Sequence, residues 1–544
     1  MPGRIFQWLD RNIFELGREM RLSYLPPLMV YMAYGVSSLT AIVGTFFIKE
    51  YLGLSAAFLA ALGFWAGIPW VLKMPLGHLV DLFWRWKYIL VFLGAGLITL
   101  SLLIMTGLIG HTDFMRQYAS VEAWFVASAL LAPVGYVIQD VVADAMTVEA
   151  VPHVDEQGNA FSADEVRLMH TTMQTLGRVA IVGGGVLVSV VNIVVFRDSA
   201  SMTEAVKVGN YVFIYELALL IPVISVLGVI LAIFLRARKA SHLRKEGFDK
   251  LEVKKLLEVQ TEPTQVNWWI LGGSLVFVVF TLSMGLLDIP FNQEIVFIGS
   301  MSIVVFLIYK LTRVLDDDSK KILVGTAIII FVFRALPGPG AGSSWWMMDV
   351  LGFDQQFFSV LQLIGASLTL AGMFIFRRFM AERSMAYIIG FLTVAGFVLS
   401  LPIVGMYYGL HVWTAALTGG VVDAHFIALV DTALESPLGQ IAMIPMLAWI
   451  ANSAPASLKA TFFAVMASFA NLSLSLSQLS TKYLNQIYTV TREVKEHATQ
   501  AIKIPADYSE LGILLITVTV IALVLPFLAI WIVRISPLKA LGDR

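Results

Sequence analysis

Acidic side chains in the segment VIQDVVADAMTVE, residues 137–149, are the groups of this chain best placed to bind a proton, a cation or a hydrogen-bond donor. Asp140 and Asp144 are four residues apart, so they would share one face of a helix, with Gln139 beside them. An ionised carboxylate is costly in lipid, so both acids should face the protein interior or a water-filled cavity. The spacing therefore predicts a binding or coupling site that includes Asp140, Asp144 and Gln139.

Two arginines inside apolar segments are the predicted counterparts of these acids. Arg178 lies at a depth similar to that of Asp140, and the two could form either a structural lock between helices or a coupling pair. Arg334 lies in mid-segment just before ALPGPGAGSSWW, where prolines remove backbone donors. Broken helices inside membrane proteins often line a ligand path. Arg334 could therefore bind an anion or pair with Glu435.

A second pair of acids with the same spacing occurs late in the chain. Asp431 and Glu435 are also four residues apart, on an apolar segment that starts near residue 425. We expect them to face the interior as well. Trp345 could be a stacking platform for a flat ligand or part of an interfacial aromatic belt. Polar side chains in other apolar segments are expected to form interhelical hydrogen bonds, namely Gln362, Asn471 and Gln478.

The elements that must position these residues are membrane-spanning helices. The chain has 544 residues, of which 58% are hydrophobic and only 14% are charged, whereas soluble domains carry about 25% charged residues. Fourteen apolar segments are long enough to cross the hydrocarbon core. They lie near 24–48, 55–79, 88–110, 122–148, 168–196, 211–236, 267–289, 294–312, 321–346, 355–378, 384–409, 425–452, 457–486 and 509–535.

The segments suggest a division of the chain, and the positive residues suggest its orientation. We predict an amphipathic helix at the membrane surface for residues 1–22, a six-helix bundle for 23–236 and a basic linker for 237–266. An extra hairpin would follow at 267–312 and a second six-helix bundle at 313–544. Lysines and arginines of the short loops fall on one side, so both termini are predicted to be cytoplasmic.

An internal repeat supports two related bundles. FFIKEYLGLSAAFLAAL, residues 46–62, aligns without a gap with WWMMDVLGFDQQFFSVL, residues 345–361. In each copy a polar residue, Ser55 or Asp354, is a predicted N-cap of the following helix. Two bundles related by duplication are the architecture of major facilitator transporters.

The loop GHLVDLFWRWK resembles the cytoplasmic signature of that superfamily. Gly77 would permit close helix approach, and Asp81 would cap or pair across helix ends. Arg85 or Lys87 would reach a neighbouring carboxylate. The four residues are thus a candidate gating clasp, although a plain basic loop would explain Arg85 and Lys87 alone.

Longer stretches resemble the folate–biopterin transporter family. They are KEYLGLSAAFLAALGFWAGIPWVLKMPLGHLVD, QDVVADAMTVE, FRALPGPGAGSSWWMMDVLGF and IPMLAWIANSAPASLKATFFAVMASFANLSLSLSQL. The resemblance implies a major facilitator fold and transport of a folate- or pterin-like anion, coupled to a proton or cation. A carboxylate such as Asp140 would suit the donor-rich pteridine edge, and Arg334 or Arg178 the carboxylates of folate.

The same residues are compatible with two other functions. A muropeptide-type permease shares a similar QD…DA helix and fourteen spans, and a membrane scaffold that assists assembly of pigment complexes is a further alternative. The absence of cysteine excludes disulfides and thiolate sites, and no metal motif, cofactor motif or catalytic pair occurs. A net charge of −1 gives no reason to expect nucleic acid. We expect a monomer in a bacterial inner membrane.

Overall fold

The computed structural model is all-α apart from one small hairpin. It describes the whole chain except residues 1–14, 153–160, 246, 251, 254–267, 288, 314, 445, 447–458, 496–501 and 541–544. Within the described residues, ten helices are long and apolar enough to cross a membrane. Further helices fall in the other predicted segments, so a multi-pass membrane protein is confirmed while the count of fourteen crossings stays a prediction.

The helices up to residue 245 form the first bundle. They are α1 (Glu15–Arg18), α2 (Leu25–Val36), α3 (Ala41–Tyr51), α4 (Ala56–Val71), α5 (Lys73–Leu82), α6 (Lys87–Gly110), α7 (Thr112–Arg116), α8 (Val121–Ala150), α9 (Ala163–Val195), α10 (Glu204–Ala218) and α11 (Leu220–Lys245). Short 3-10 turns at Leu22–Tyr24, Ser37–Thr40, Trp84–Trp86 and Ser199–Ser201 join some of them. Helix α2 packs against α8, α9 and α11, and α6 packs against α8.

The rest of the chain forms an added hairpin and the second bundle. The hairpin is α12 (Trp268–Leu286) and α13 (Asn292–Thr312). The second bundle is α14 (Asp317–Arg334), α15 (Ala341–Asp349), α16 (Gln355–Ile375), α17 (Arg377–Glu382), α18 (Met385–Tyr407), α19 (Leu410–Leu417), α20 (Ala424–Glu435), a 3-10 turn (Ser436–Leu438), α21 (Lys459–Ile487), strands β1 (Val494–Lys495) and β2 (Ile502–Ile504), and α22 (Leu511–Ile535). The two strands pair antiparallel.

The two bundles meet along two helix pairs. Helix α4 of the first bundle packs on α21 of the second, and α9 packs on α16. The hairpin does not lie between the bundles as a spacer, because α13 packs on α21 and also touches α4. Its Gln293 Nε2 donates to Ala61 O at 3.0 Å, and Glu294 Oε1 is 3.2 Å from Lys482 Nζ. The hairpin therefore holds one helix of each bundle.

Two helices break near prolines, and the second break, after Arg334, is the one that the sequence predicts. Helix α4, with Pro69 in its last turn, ends at Val71, and α5 begins at Lys73. Helix α14 ends at Arg334, and α15 begins at Ala341 after Gly340, whose φ of 76° favours glycine. Each break leaves backbone groups without helical partners close to a charged side chain.

Helix α21 satisfies the backbone of the second break. Ser477 Oγ donates to Leu336 O at 2.6 Å, and Thr481 Oγ1 accepts from Gly338 N at 2.9 Å. One turn further along, Asn485 Nδ2 donates to Pro339 O at 3.3 Å. These three residues are four positions apart along α21, so their side chains lie on one face of the helix. This stripe fixes the broken segment, and with it the end of α14.

Several predicted boundaries are only partly described. Of the surface helix at 1–22, residues 1–14 lie outside the described residues, and Glu15–Arg18 is helical. The linker at 237–266 begins as helix, since α11 continues to Lys245, and 254–267 are not described. The segment 425–452 is helical as α20 only to Glu435, where Ser436 and Pro437 begin a 3-10 turn. Residues 447–458 of that segment are outside the described part.

The repeated loops fold as the repeat predicts. Ser55 accepts a hydrogen bond from Phe58 N at 3.1 Å, and Asp354 accepts one from Phe357 N at 2.8 Å. Both residues therefore cap their helices. Asp354 makes an additional contact, because Ser199 Oγ of the first bundle donates to its Oδ2 at 2.6 Å.

Candidate functional site

Lys73 lies between two carboxylates at the start of α5. Its Nζ atom is 2.6 Å from Asp140 Oδ2 and 2.8 Å from Asp144 Oδ2, both on α8. The side chains of Lys73 and Asp140 are 18% and 13% exposed, whereas that of Asp144 is 41% exposed. Lys73 thus neutralises a mostly buried acid and a more open one at once. We call Lys73, Asp140 and Asp144 the charge cluster.

Aromatic side chains border the charge cluster. The hydroxyl of Tyr31, a buried residue of α2, donates to Asp144 Oδ1 at 2.6 Å. The ring of Tyr34 meets those of Trp70 and Tyr136 edge-on, with centroids 5.6 and 5.7 Å apart. Three helices besides α5 therefore contribute to one side of the cluster, and they supply both a hydrogen-bond donor and flat apolar surfaces.

Arg178 is not the partner of Asp140. It lies on α9 close enough to act electrostatically on Asp140, but among the described side chains the ion pairs of that acid are made by Lys73. The expected Asp140–Arg178 pair is therefore wrong in this conformation. The sequence signal for Lys73 was a single lysine inside an apolar segment, in PWVLKMP. Lys73 is the first residue of α5, directly after the break at Leu72.

Gln139 does not join the charge cluster. Its amide Nε2 donates to Val91 O of α6 at 3.2 Å, and the side chain is 3% exposed. A Cβ on Gly94 would lie 2.8 Å from Gln139 Cγ, so the two helices touch closely here. Gln139 therefore holds α8 to α6, which corrects the expectation that it lies beside the acids as a ligand.

A second cluster lies near the predicted cytoplasmic end of α8. Lys87 is buried, with its Nζ atom 2.6 Å from Glu149 Oε1 and 4.0 Å from the centre of the Trp84 ring. Tyr88 OH donates to Glu149 Oε2 at 3.0 Å, and Arg236 Nη1 lies 3.9 Å from Glu149 Oε1. The loop after α5 is thereby fastened to both α8 and α11.

Within the side chains that it describes, the structure does not show a clasp contact for the other three residues of the motif, which are Gly77, Asp81 and Arg85. A Cβ placed on Gly77 would meet no atom within 4 Å, so this glycine does not permit a close helix approach, contrary to expectation. The side chains of Asp81 and Arg85 lie outside the described part of the structure. Lys87 is thus the member of the motif whose contact with a carboxylate is seen.

Arg334 lies half-buried at the end of α14. Its Nε donates to Ala470 O at 3.2 Å, and its Nη1 is 3.5 Å from Met443 Sδ. No carboxylate of the described residues lies within ion-pair distance, so the alternative of an Arg334–Glu435 pair is not formed. A guanidinium held by a carbonyl and a thioether keeps donors and charge for an anion.

The acids of α20 have no cationic partner among the described residues either. Asp431 Oδ1 is buried without a hydrogen-bond partner, as is Gln362 Oε1 on the neighbouring α16. Glu435, one turn beyond Asp431, is exposed. Buried acceptors without a donor are unfavourable in a closed structure. These two atoms are therefore free to accept hydrogen bonds from a ligand.

Trp345 is buried on α15, with 1% of its surface exposed. The guanidinium of Arg492 lies 5.5 Å from the centre of its ring, in cation–π contact. A residue enclosed in this way is not part of an interfacial belt. Trp345 supports the loop between α21 and α22, and no ligand can stack on it in this conformation.

Asn471 forms an interhelical hydrogen bond that connects the two bundles, as the sequence predicts. Its Nδ2 donates to Trp70 O at 3.1 Å. No group of three His, Asp or Glu residues that could hold a metal occurs among the described residues.

The paired helical bundles have the fold of the major facilitator transporters. A crystal structure of a POT family transporter in complex with 5-aminolevulinic acid has a TM-score of 0.56 at 12% identity, and the match covers 95% of this chain and 96% of that one. For the nucleoside transporter NupG the TM-score is 0.51 at 11% identity, with coverages of 94% and 99%. These likenesses concern the fold.

The chain belongs to the BT1 family, whose model matches residues 34–540. A curated relative is the folate-biopterin transporter of Synechocystis sp., which is 22% identical over 464 residues. That match covers 85% of this chain and 74% of the relative. The resemblance to folate–biopterin transporters is therefore confirmed at the level of the family.

Proposed function

We propose that this protein is a secondary active transporter that moves a folate- or pterin-like organic anion by alternating access. The name of the Synechocystis relative supports the cargo, and the fold supports the mode of transport. The binding site lies between the bundles, with Arg334 on one side and the charge cluster on the other.

The observation that carries this proposal is the unpaired charge of Arg334. A cation inside a membrane protein is costly unless it is paired or functional. Because Arg334 has only a carbonyl and a thioether as partners, it can give its remaining donors to a substrate carboxylate. The break after α14 assists, since a helix end is less crowded than a helix interior.

The charge cluster is the proposed coupling site. Lys73 is shared by two acids, so a proton on Asp140 or Asp144 would change which acid holds the lysine. Asp144 is the more open of the two, and Tyr31 already donates to it. Arg178 lies nearby and can stabilise whichever acid Lys73 leaves. Asp431 and Glu435 extend the site into the second bundle.

The cytoplasmic clasp and the orientation complete the proposal. Lys87 and Glu149 fasten the loop after α5 on the side that the positive residues assign to the cytoplasm. Gly77 and Asp81 in α5 and Arg85 in that loop belong to the same motif. Both termini would lie on that side of a bacterial inner membrane. The bundles would comprise 23–236 and 313–544, and the protein would act as a monomer.

The test is ligand-induced thermal stabilisation of the purified protein. The panel is folate, 5-methyltetrahydrofolate, biopterin, an anhydro-muropeptide and chlorophyll precursors. A ligand that binds only the folded state raises the midpoint of unfolding according to its saturation. We expect a shift with folates. We expect Arg334→Ala to weaken binding by roughly 10- to 100-fold, the usual value of a hydrogen-bonded charge contact.

Matched variants make the result specific. Arg334→Lys keeps the charge but loses the planar fork, so it should bind with intermediate affinity. Arg197→Ala removes an exposed arginine at a bundle end and should leave the shift unchanged. A flat response to all pterins, with a shift for the muropeptide, would replace the proposed cargo. Tight binding of a pigment precursor without any uptake would favour a scaffold instead.

A further inference from the structure

The interface between α4 and α21 is close and carries one polar link near the charge cluster. A Cβ on Gly67 would lie 3.1 Å from Ser475 Oγ, so the Ser475 side chain packs directly on the backbone of α4. One turn away along α21, Asn471 Nδ2 donates to Trp70 O. Trp70 is in the last turn of α4, where carbonyl groups lose their helical donors. The amide of Asn471 therefore satisfies the broken end of α4.

The same turn of α21 also holds the substrate anchor proposed above. Arg334 Nε donates to the carbonyl of Ala470, the residue before Asn471. On the other side, the carbonyl bound by Asn471 is only three residues before Lys73 in the chain. Two adjacent residues of α21 thus contact the segment that carries the anchor and the segment that carries the charge cluster.

We propose that Asn471 is a positioning residue that couples Arg334 in the second bundle to the charge cluster in the first. An anion that binds the remaining donors of Arg334 draws the guanidinium away from Ala470 O and releases α21 at this turn. The Asn471–Trp70 hydrogen bond then breaks, and the start of α5 can move with Lys73. By linkage, a change at the charge cluster alters anion affinity at Arg334 by the same factor. This role rests on the proposed function of Arg334.

The mechanical part of the proposal can be tested without substrate. The chain has no cysteine, so spin labels can be placed on Phe58→Cys and Ile487→Cys, exposed positions at neighbouring ends of α4 and α21. Distance distributions are measured by pulsed electron paramagnetic resonance. Asn471→Leu keeps the side-chain size without a donor, and Asn471→Gln keeps the amide. Ser475→Ala is the control, since its hydroxyl faces α4 but has no hydrogen-bond partner.

We expect Asn471→Leu to increase the long-distance population, with Asn471→Gln close to the parent and Ser475→Ala identical to it. Distributions for Asn471→Leu that superimpose on the parent would overturn the link. If Ser475→Ala opened the helices as much as Asn471→Leu, packing rather than the hydrogen bond would hold them, and the proposal would also fail.

The coupling part is tested by transport in proteoliposomes. For the parent and Asn471→Leu, substrate exchange without a gradient is compared with accumulation driven by a proton gradient. We expect accumulation to fall by about 5- to 150-fold, the range of a coupling energy, and exchange to fall far less. Equal losses in both assays would mean a folding defect and overturn the coupling role. Parent protein that never responds to the gradient would refute proton coupling itself, whereas the label distances would still decide whether Asn471 joins the helices.

Discussion

A lysine shared by two carboxylates is the central feature of this protein at the scale of the residue. Each acid alone would be costly in a membrane, and the lysine would be as well, so the three side chains are tolerable only together. Since Asp144 is more exposed and has Tyr31 as a donor, it depends on Lys73 less than Asp140 does. The unequal burial gives the two acids different roles around one cation.

Removal of this lysine should therefore be strongly destabilising, and removal of the paired acid should repair part of the loss. We expect Lys73→Met to cost about 3 kcal/mol, because it leaves Asp140 buried without a cation. Lys73→Met combined with Asp140→Asn should regain much of the thermal midpoint, whereas adding Asp144→Asn instead should regain less. Thermal unfolding in detergent of the parent, Lys73→Met, Asp140→Asn and the Lys73→Met/Asp140→Asn double variant gives the coupling energy of the pair. Additive effects would show that Lys73 and Asp140 do not interact.

At the scale of the element, helix α21 supports both broken helices. Its Asn471 side chain satisfies the end of α4, and its stripe of Ser477, Thr481 and Asn485 satisfies the segment between α14 and α15. In lipid, unpaired backbone groups cost several kcal/mol each, so a broken helix needs such a neighbour. The charged residues Lys73 and Arg334 lie next to these breaks. Hydrogen bonds from α21 lower the free-energy cost of the unpaired backbone groups there.

The second break gives a clean comparison between two glycines. Gly340 has a φ of 76°, and a Cβ there would lie 2.7 Å from Asn485 Nδ2. Gly340→Ala should therefore cost about 1–3 kcal/mol from backbone strain, with additional crowding of Asn485. Gly338 has no atom within 4 Å of an added Cβ, so Gly338→Ala should stay within about 0.5 kcal/mol of the parent. The midpoint of thermal unfolding measures both. Equal effects would show that the conformation of Gly340 is not required.

Sequence patterns predict elements well here because they act locally. Hydrophobic length gives the helices, the prolines after Arg334 give the second break, and Ser55 and Asp354 give the caps. The segment 55–79 is predicted as one helix, whereas it breaks after Val71. Sequence patterns do not predict which charged side chains pair with each other, because pairing depends on how the helices rotate and where they break. Arg178 lies at the right depth for Asp140, but the bend after α4 brings Lys73 closer. The partners of Arg334 are likewise Ala470 O and Met443 Sδ, and no local pattern specifies them.

At the scale of the whole molecule, polar contacts join the two bundles at the predicted outer end. Lys49 forms an ion pair with Asp349, and Ser199 donates to Asp354. These residues belong to the repeated loops or contact them, so the duplicated motif forms the contact between bundles. In the proposed alternating-access cycle, these contacts would close the predicted outer end.

The closed outer end leads to a test of the transport cycle in a chain without native cysteine. In Lys49→Cys combined with Asp349→Cys, a short, cleavable, thiol-reactive cross-linker should bridge the two loops, because their parent side chains are in contact. We expect cross-linking to abolish uptake and reductive cleavage to restore it, since the loops must separate for the outer end to open. Each single-cysteine variant treated with the same reagent controls for modification alone. The Lys49 and Asp349 side chains are 18% and 29% exposed, so the pair is partly open to solvent and its loss should cost only about 1 kcal/mol. Full uptake in completely cross-linked protein would mean that substrate does not pass between these loops, and the site between the bundles would then need a different entrance.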